Sequence, residues 1–290
     1  MSLLSHRFRG MFLGLALSGV SSVALGQSIH FDVTISLDKG PVVGSKLVAG
    51  AFGDLPFATL PTDYETGAFV FPGNFGDFEG GPRATDDPGF QAFAGALKGG
   101  SRASERDLIG FRAVGILQYW DPVSGVWSDA DAGVGVRLYG AVPPAVADAY
   151  LLYQLSPSLA PPNAVANYQY YESGTLFTGE GISGPAMAVI DDASSSGAFH
   201  AHLDWFIEGN APVGAYMVTL QLTDSTTIGG KGRYVDSDPF QVLFNYGLDS
   251  ASYQAAFQSR LSAPVPEPAT WAFLLAGFAA LSIAARRRPG

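Results

Sequence analysis

The chain has 290 residues, with 16 basic and 26 acidic side chains, a formal net charge of −10 and no cysteine. An acidic surface of this kind repels nucleic acid and anionic lipid. The lack of cysteine excludes disulfide staples, thiolate metal sites and a cysteine nucleophile.

Residues 1–26 carry Arg7 and Arg9, an apolar run from Met11 to about Leu17 and a small-residue exit at Ala24-Leu25-Gly26. That order predicts a secretory signal peptide cleaved near Gln27. The apolar run is shorter than the roughly 20 residues of a membrane span, so a retained N-terminal anchor is the weaker alternative.

Residues 27–262 read as one β-rich domain, long enough to bury one sizeable core. β-type runs at 29–37, 67–71, 111–120, 134–140, 149–155, 186–191, 199–207, 215–222 and 240–246 are separated by turns such as FPGNFG, DPVSG and STTIGGKG. Several alternate apolar with polar or small residues, as half-buried strands do. Many short strands with Gly-rich turns predict an all-β fold, an antiparallel β-sandwich of jelly-roll or Ig-like type. Residues 72–108, rich in Gly and Asp, are expected to form long loops. Only 251–261 carries a helical pattern, with Ser250 as its cap.

The segment GAFHAHLDWFIEG (197–209) places two of only four histidines one residue apart. On a strand, His200, His202 and Asp204 point one way, and Phe199, Ala201, Leu203, Trp205 and Ile207 the other. Imidazoles at i and i+2 start about 6.5 to 7 Å apart and can lean onto one ion. With His6 lost in the signal, His30 is the third histidine of the exported body, and His30-Phe31-Asp32 repeats the i, i+2 pairing. If the strand at 29–37 lies beside that at 199–207, three imidazoles meet, with Asp32, Asp204, Asp86 or Asp87 as a further or supporting partner. Such a set favours zinc over calcium, leaving Cu(II) and Ni(II) open. The bland alternative is a polar strand face whose histidines pack on Phe206 and bond to backbone or water.

Other chemistry is thinner. Asp86-Asp87-Pro88 and Asp129-Ala130-Asp131-Ala132-Gly133 are candidate calcium loops, but neither carries the full spacing of an EF-hand loop, and loop aspartates more often make Asx-turns or stay solvated. Trp120, Trp127 and Trp205 with Tyr168, Tyr170 and Tyr171 offer rings for an extracellular polysaccharide, though strand aromatics more often belong to a core. There is no G-x-S-x-G elbow, zincin motif or phosphate loop. No glutamate flanks the His-x-His pair, so a zinc hydrolase would have to use Asp204 as its base. A non-enzymatic role is expected.

At the C-terminus, Val265-Pro266-Glu267-Pro268 leads into an apolar stretch at 271–285 and then Arg286-Arg287-Arg288. This tripartite tail, 263–290, resembles the PEP-CTERM sorting signal of Gram-negative bacteria. The resemblance implies recognition by the membrane enzyme exosortase, transient retention in the inner membrane by the hydrophobic helix, and cutting near Pro266 to Pro268. Some 15 apolar residues can just enter a bilayer, and the arginines hold that end in the cytoplasm, so a permanent transmembrane anchor is the alternative. Without both ends the body keeps 11 basic and 25 acidic residues, a formal net charge of −14.

The segments HFDVTI, TDDPGF, LQYWD, FHAHLDWF, VGAYMVTLQL and DSDPFQVLFNYGL, in that order, resemble a second family. Its members are exported bacterial surface proteins with H-x-D and H-x-H motifs, some linked with zinc limitation. That resemblance implies His30, Asp32, His200 and His202 as metal ligands. The expectation is thus an exported protein of the cell envelope, cell surface or extracellular matrix that binds zinc. The alternative is a polysaccharide or matrix interaction module without metal.

Overall fold

The structure is a computed structural model that describes residues 32–51, 60–76, 81–225, 227–228 and 231–261. In chain order the strands begin with β1 (Asp32–Leu37), β2 (Leu47–Ala51), β3 (Phe69–Asn74), β4 (Ala84–Thr85) and β5 (Gly89–Ala92). Next come β6 (Leu108–Asp121), β7 (Val126–Asp129) and β8 (Val134–Tyr139), then the helices α1 (Pro144–Leu155) and α2 (Ala164–Glu172). The chain continues through β9 (Thr175–Thr178), β10 (Gly181–Ser183), β11 (Met187–Asp192), β12 (Phe199–Ala201) and β13 (Asp204–Gly209). It closes with β14 (Gly214–Asp224), β15 (Thr227–Ile228), β16 (Lys231–Gly232), β17 (Phe240–Tyr246) and α3 (Ser250–Leu261).

Three sheets carry the fold, ordered β12-β5-β1-β2, β10-β9-β8-β13-β4 and β11-β6-β14-β17-β3, with β7 on β6. The all-β sandwich holds, with one amendment: β1–β5 and β17–β3 are parallel, so the sheets are mixed rather than wholly antiparallel. One core joins all three, drawing Ile35 and Phe90 from the first, Val136 and Trp205 from the second, and Phe111, Val218 and Phe244 from the third. Alternation explains which residues enter it. On β1, Val33, Ile35 and Leu37 are buried while Thr34 and Ser36 turn outward. On β6, Gly115 adopts φ +75° where the β14 register slips: Val114 to Gln118 opposes Met217 to Thr219, an excess of two residues that preserves alternation and leaves Ala113 and Leu117 both inside.

β14 is buried on both faces, because α3 covers its outer side. Tyr253, Ala256 and Phe257 pack with Val70, Trp120, Ala215 and Leu243 in a second cluster. The helix predicted at 251–261 is present, but its cap is one residue earlier: Asp249 Oδ1 accepts the Ser252 N–H at 2.7 Å. That bond holds the Asp249 carboxyl below the usual carboxylate range. The buried Tyr253 hydroxyl donates to the carbonyls of Leu243 (2.6 Å) and Gly73 (3.2 Å), stitching helix to sheet. Tyr253→Phe leaves both acceptors without this donor, and we expect a loss of about 1–3 kcal/mol in denaturant unfolding.

Two sequence expectations are corrected. Residues 149–155, expected as a strand, form the end of α1, and α2 follows where no helix was expected. Ala, Leu and Gln are strong helix formers, and Pro144 at the first helical position presets the backbone. The Tyr150 and Tyr168 rings stack at 4.1 Å between the two helices. Residues 72–108, expected as loops, contain β4 and β5. Both strands are too short for periodicity to reveal, yet β5 is interior to its sheet.

Candidate metal centre

The His-x-His segment does not run as one strand. β12 pairs with β5, while β13 pairs with β8 and β4 in another sheet, so His202 and Leu203 form a step between sheets. Residues 86–88 make the reverse step, from β4 to β5. Two crossings thus lie side by side at a seam. Face alternation survives the step: Phe199, Leu203, Trp205 and Ile207 are buried, while His200 and Asp204 are exposed.

β1 and β12 are not neighbours, contrary to the juxtaposition considered above; β5 lies between them. What brings Asp32 and His202 together across an intervening strand is a missing side chain. Asp32 is in register with Gly89, and a Cβ there would lie 2.4 Å from Asp32 Oδ1 and 2.8 Å from His202 Cε1. The gap over Gly89 is where the two polar groups sit.

Their geometry suits a cation. His200 Nε2 lies 3.0 Å from His202 Nε2 and 3.2 Å from Asp32 Oδ2, and His202 Nε2 lies 4.0 Å from Asp32 Oδ1. Metal–ligand bonds of about 2.0–2.2 Å in a tetrahedron separate donors by roughly 3.3–3.6 Å, and two of these spacings fall just below that range and one just above it. Two imidazole nitrogens and one carboxylate oxygen suit zinc or a neighbouring transition ion better than calcium or magnesium. The site is graded in exposure: the Asp32 side chain is 5% exposed, His202 24% and His200 47%. A buried carboxylate faces an opening guarded by one half-exposed ring.

The other edge of His202 meets a second acidic group. Its Nδ1 lies 3.1 Å from the Asp86 carbonyl oxygen, 3.4 Å from Asp86 Oδ2 and 3.7 Å from Asp87 Oδ1. A carbonyl oxygen only accepts, so this contact is a hydrogen bond when Nδ1 carries the proton. In a neutral ring that leaves the Nε2 lone pair facing His200 and Asp32.

The predicted residues divide accordingly. Asp32, His200 and His202 converge, with Asp86 and Asp87 on the reverse side of His202. Asp204 belongs to neither group: it opens β13 opposite Tyr139 and lines a separate shallow cavity of about 670 Å³ with Arg83, Phe206 and Glu208. Phe206 meets Tyr139 edge to face at 5.7 Å. His30 lies outside the described residues, as do Val265 to Pro268 and Arg286 to Arg288. Gly89 was missed by sequence reasoning; its only signal is its place in TDDPGF. Of the aromatics weighed for sugar binding, Trp120 and Trp205 are core residues. Trp127 donates to Ser259 Oγ at 2.9 Å beneath the Arg260 guanidinium.

Among the described residues no helix is long and apolar enough to cross a membrane, and the apolar stretch at 271–285 lies outside them. Compared with known families, residues 264–288 match the PEP-CTERM protein-sorting motif. No curated protein and no solved structure matches the chain. The motif marks an exported surface protein that exosortase processes.

Proposed function

We propose that this exosortase-sorted surface protein binds one transition-metal ion, zinc by its donor set, through Asp32, His200 and His202, and that it does so without catalysing a reaction. The observation that carries the reading is the convergence of two Nε2 atoms and a buried carboxylate from β1 and the β12–β13 step, spaced as the edges of one coordination polyhedron. Export, and retention in the inner membrane until the tail is cut, would deliver the site to a compartment where zinc is captured from outside the cytoplasm. The absence of a glutamate beside the ligands supports a binding role over hydrolysis. Burial of Trp120 and Trp205 favours metal over the polysaccharide reading.

The test is elemental analysis and chelator competition on the full chain purified in detergent. One equivalent of zinc is expected, with His200→Ala and His202→Ala each weakening affinity about 100-fold, because losing a ligand costs at least the upper end of the 10- to 100-fold lost with a partner behind one. Stoichiometric zinc retained by both variants would refute the assignment. Chelator-sensitive turnover of a simple ester would instead make the site catalytic.

A further inference from the structure

We infer that Asp86 and Asp87 are positioning residues, which hold the proton on His202 Nδ1 and so present Nε2 to the cation. The inference rests on the metal reading above and deepens it. Three acceptors surround Nδ1: the Asp86 carbonyl at 3.1 Å, Asp86 Oδ2 at 3.4 Å and Asp87 Oδ1 at 3.7 Å. Carbonyl and carboxylate oxygens accept, so each disfavours a lone pair on that nitrogen. Nε2 instead faces the His200 ring nitrogen at 3.0 Å, which can give or take a proton, and the Asp32 carboxylate only at 4.0 Å, beyond hydrogen-bond reach. The asymmetry selects one tautomer.

The loop that carries the carboxylates is itself fixed. Asp87 N–H donates to Thr85 Oγ1 at 3.1 Å, and Thr85 is a buried residue of β4 paired with Trp205. Two residues beyond Asp87, Gly89 enters β5 in register with Asp32. One rigid segment therefore sets both the hole that admits the His202 ring and the charges that orient it. Negative charge on the Nδ1–H side also makes Nε2 a stronger donor to a cation, as carboxylate–histidine–metal arrangements do.

Histidine ring ¹⁵N signals test this on the full chain in detergent, with selectively labelled histidine and His202→Gln to assign the resonances. In the metal-free protein His202 is expected as the Nδ1–H tautomer. Zinc should shift Nε2 and leave Nδ1 protonated. The double variant Asp86→Asn/Asp87→Asn keeps the backbone carbonyl but offers amide donors to Nδ1, so a mixed tautomer population and a 10- to 100-fold loss of zinc affinity are expected. An Nε2–H tautomer in the metal-free wild type overturns the inference, as does a double variant with unchanged tautomer and affinity. If the wild type takes no zinc, the metal reading fails alone, and the ring signals still decide the role of the two aspartates.

Discussion

Gly89→Ala is expected to weaken zinc binding by more than 100-fold, a larger loss than removing either histidine. The added methyl would sit 2.4 Å from Asp32 Oδ1 and 2.8 to 3.1 Å from the His202 ring, so it displaces two ligands at once. Gly89 does not have a left-handed backbone, so the effect is one of space rather than strain. Overpacking of this kind costs about 1–3 kcal/mol, and the variant should still fold. Gly50→Ala is the matched control. It lies on β2 beside β1, and among the described residues its Cβ would meet only the Thr34 carbonyl at 3.7 Å, an ordinary contact. Chelator competition on both variants, beside thermal unfolding, separates loss of the site from loss of the fold. Zinc affinity of Gly89→Ala within tenfold of wild type would show that the gap over Gly89 does not shape the site.

Arg260→Met is expected to cost about 3–5 kcal/mol of stability, because it strands a buried carboxylate. Arg260 Nε donates to Asp63 Oδ2 at 2.6 Å, Nη2 adds a second close contact to the same oxygen, and Nη1 reaches Glu65 at 3.1 Å. Asp63 is fully buried, and its other oxygen caps a turn by accepting the N–H groups of Glu65 and Thr66 at 2.8 and 3.0 Å. Asp63→Asn preserves that acceptor while removing the charge. The double variant Arg260→Met/Asp63→Asn should therefore be more stable than Arg260→Met alone. A double-mutant cycle by urea unfolding measures the coupling. Additive effects would mean that the pair contributes nothing as a pair.

Much of the architecture was legible because strands advertise themselves either by alternation or as apolar runs between turn signals. β14, β17 and the inward faces of β1 and β13 follow their apolar pattern, and α3 its helical one. The failures share a physical cause. AYLLYQL mixes strand-compatible aromatics with helix formers, and preceding residues decided in favour of α1. β4 and β5, two and four residues long, are held by their neighbours rather than by their own pattern. The imidazole pair was legible from its i, i+2 spacing. The partnership with Asp32 was not legible as geometry, because it depends on which strand intervenes and on that strand carrying a glycine at one register position. The break between β12 and β13 was hidden for a related reason: alternation continues through it, so nothing in the periodicity separates His202 from Asp204.

The centre is scattered along the chain: its buried carboxylate comes from residue 32, its orienting loop from 86 and 87, and its rings from 200 and 202. A polypeptide crossing a membrane N-terminus first delivers Asp32 long before His202. While threaded through a narrow conduit it has no place for a cation to settle. On the proposed metal reading, loading would wait until some two hundred residues had emerged and the seam had closed, and the ion would come from the pool on the far side. An occupied site would then be a record of completed translocation, written in metal rather than in sequence.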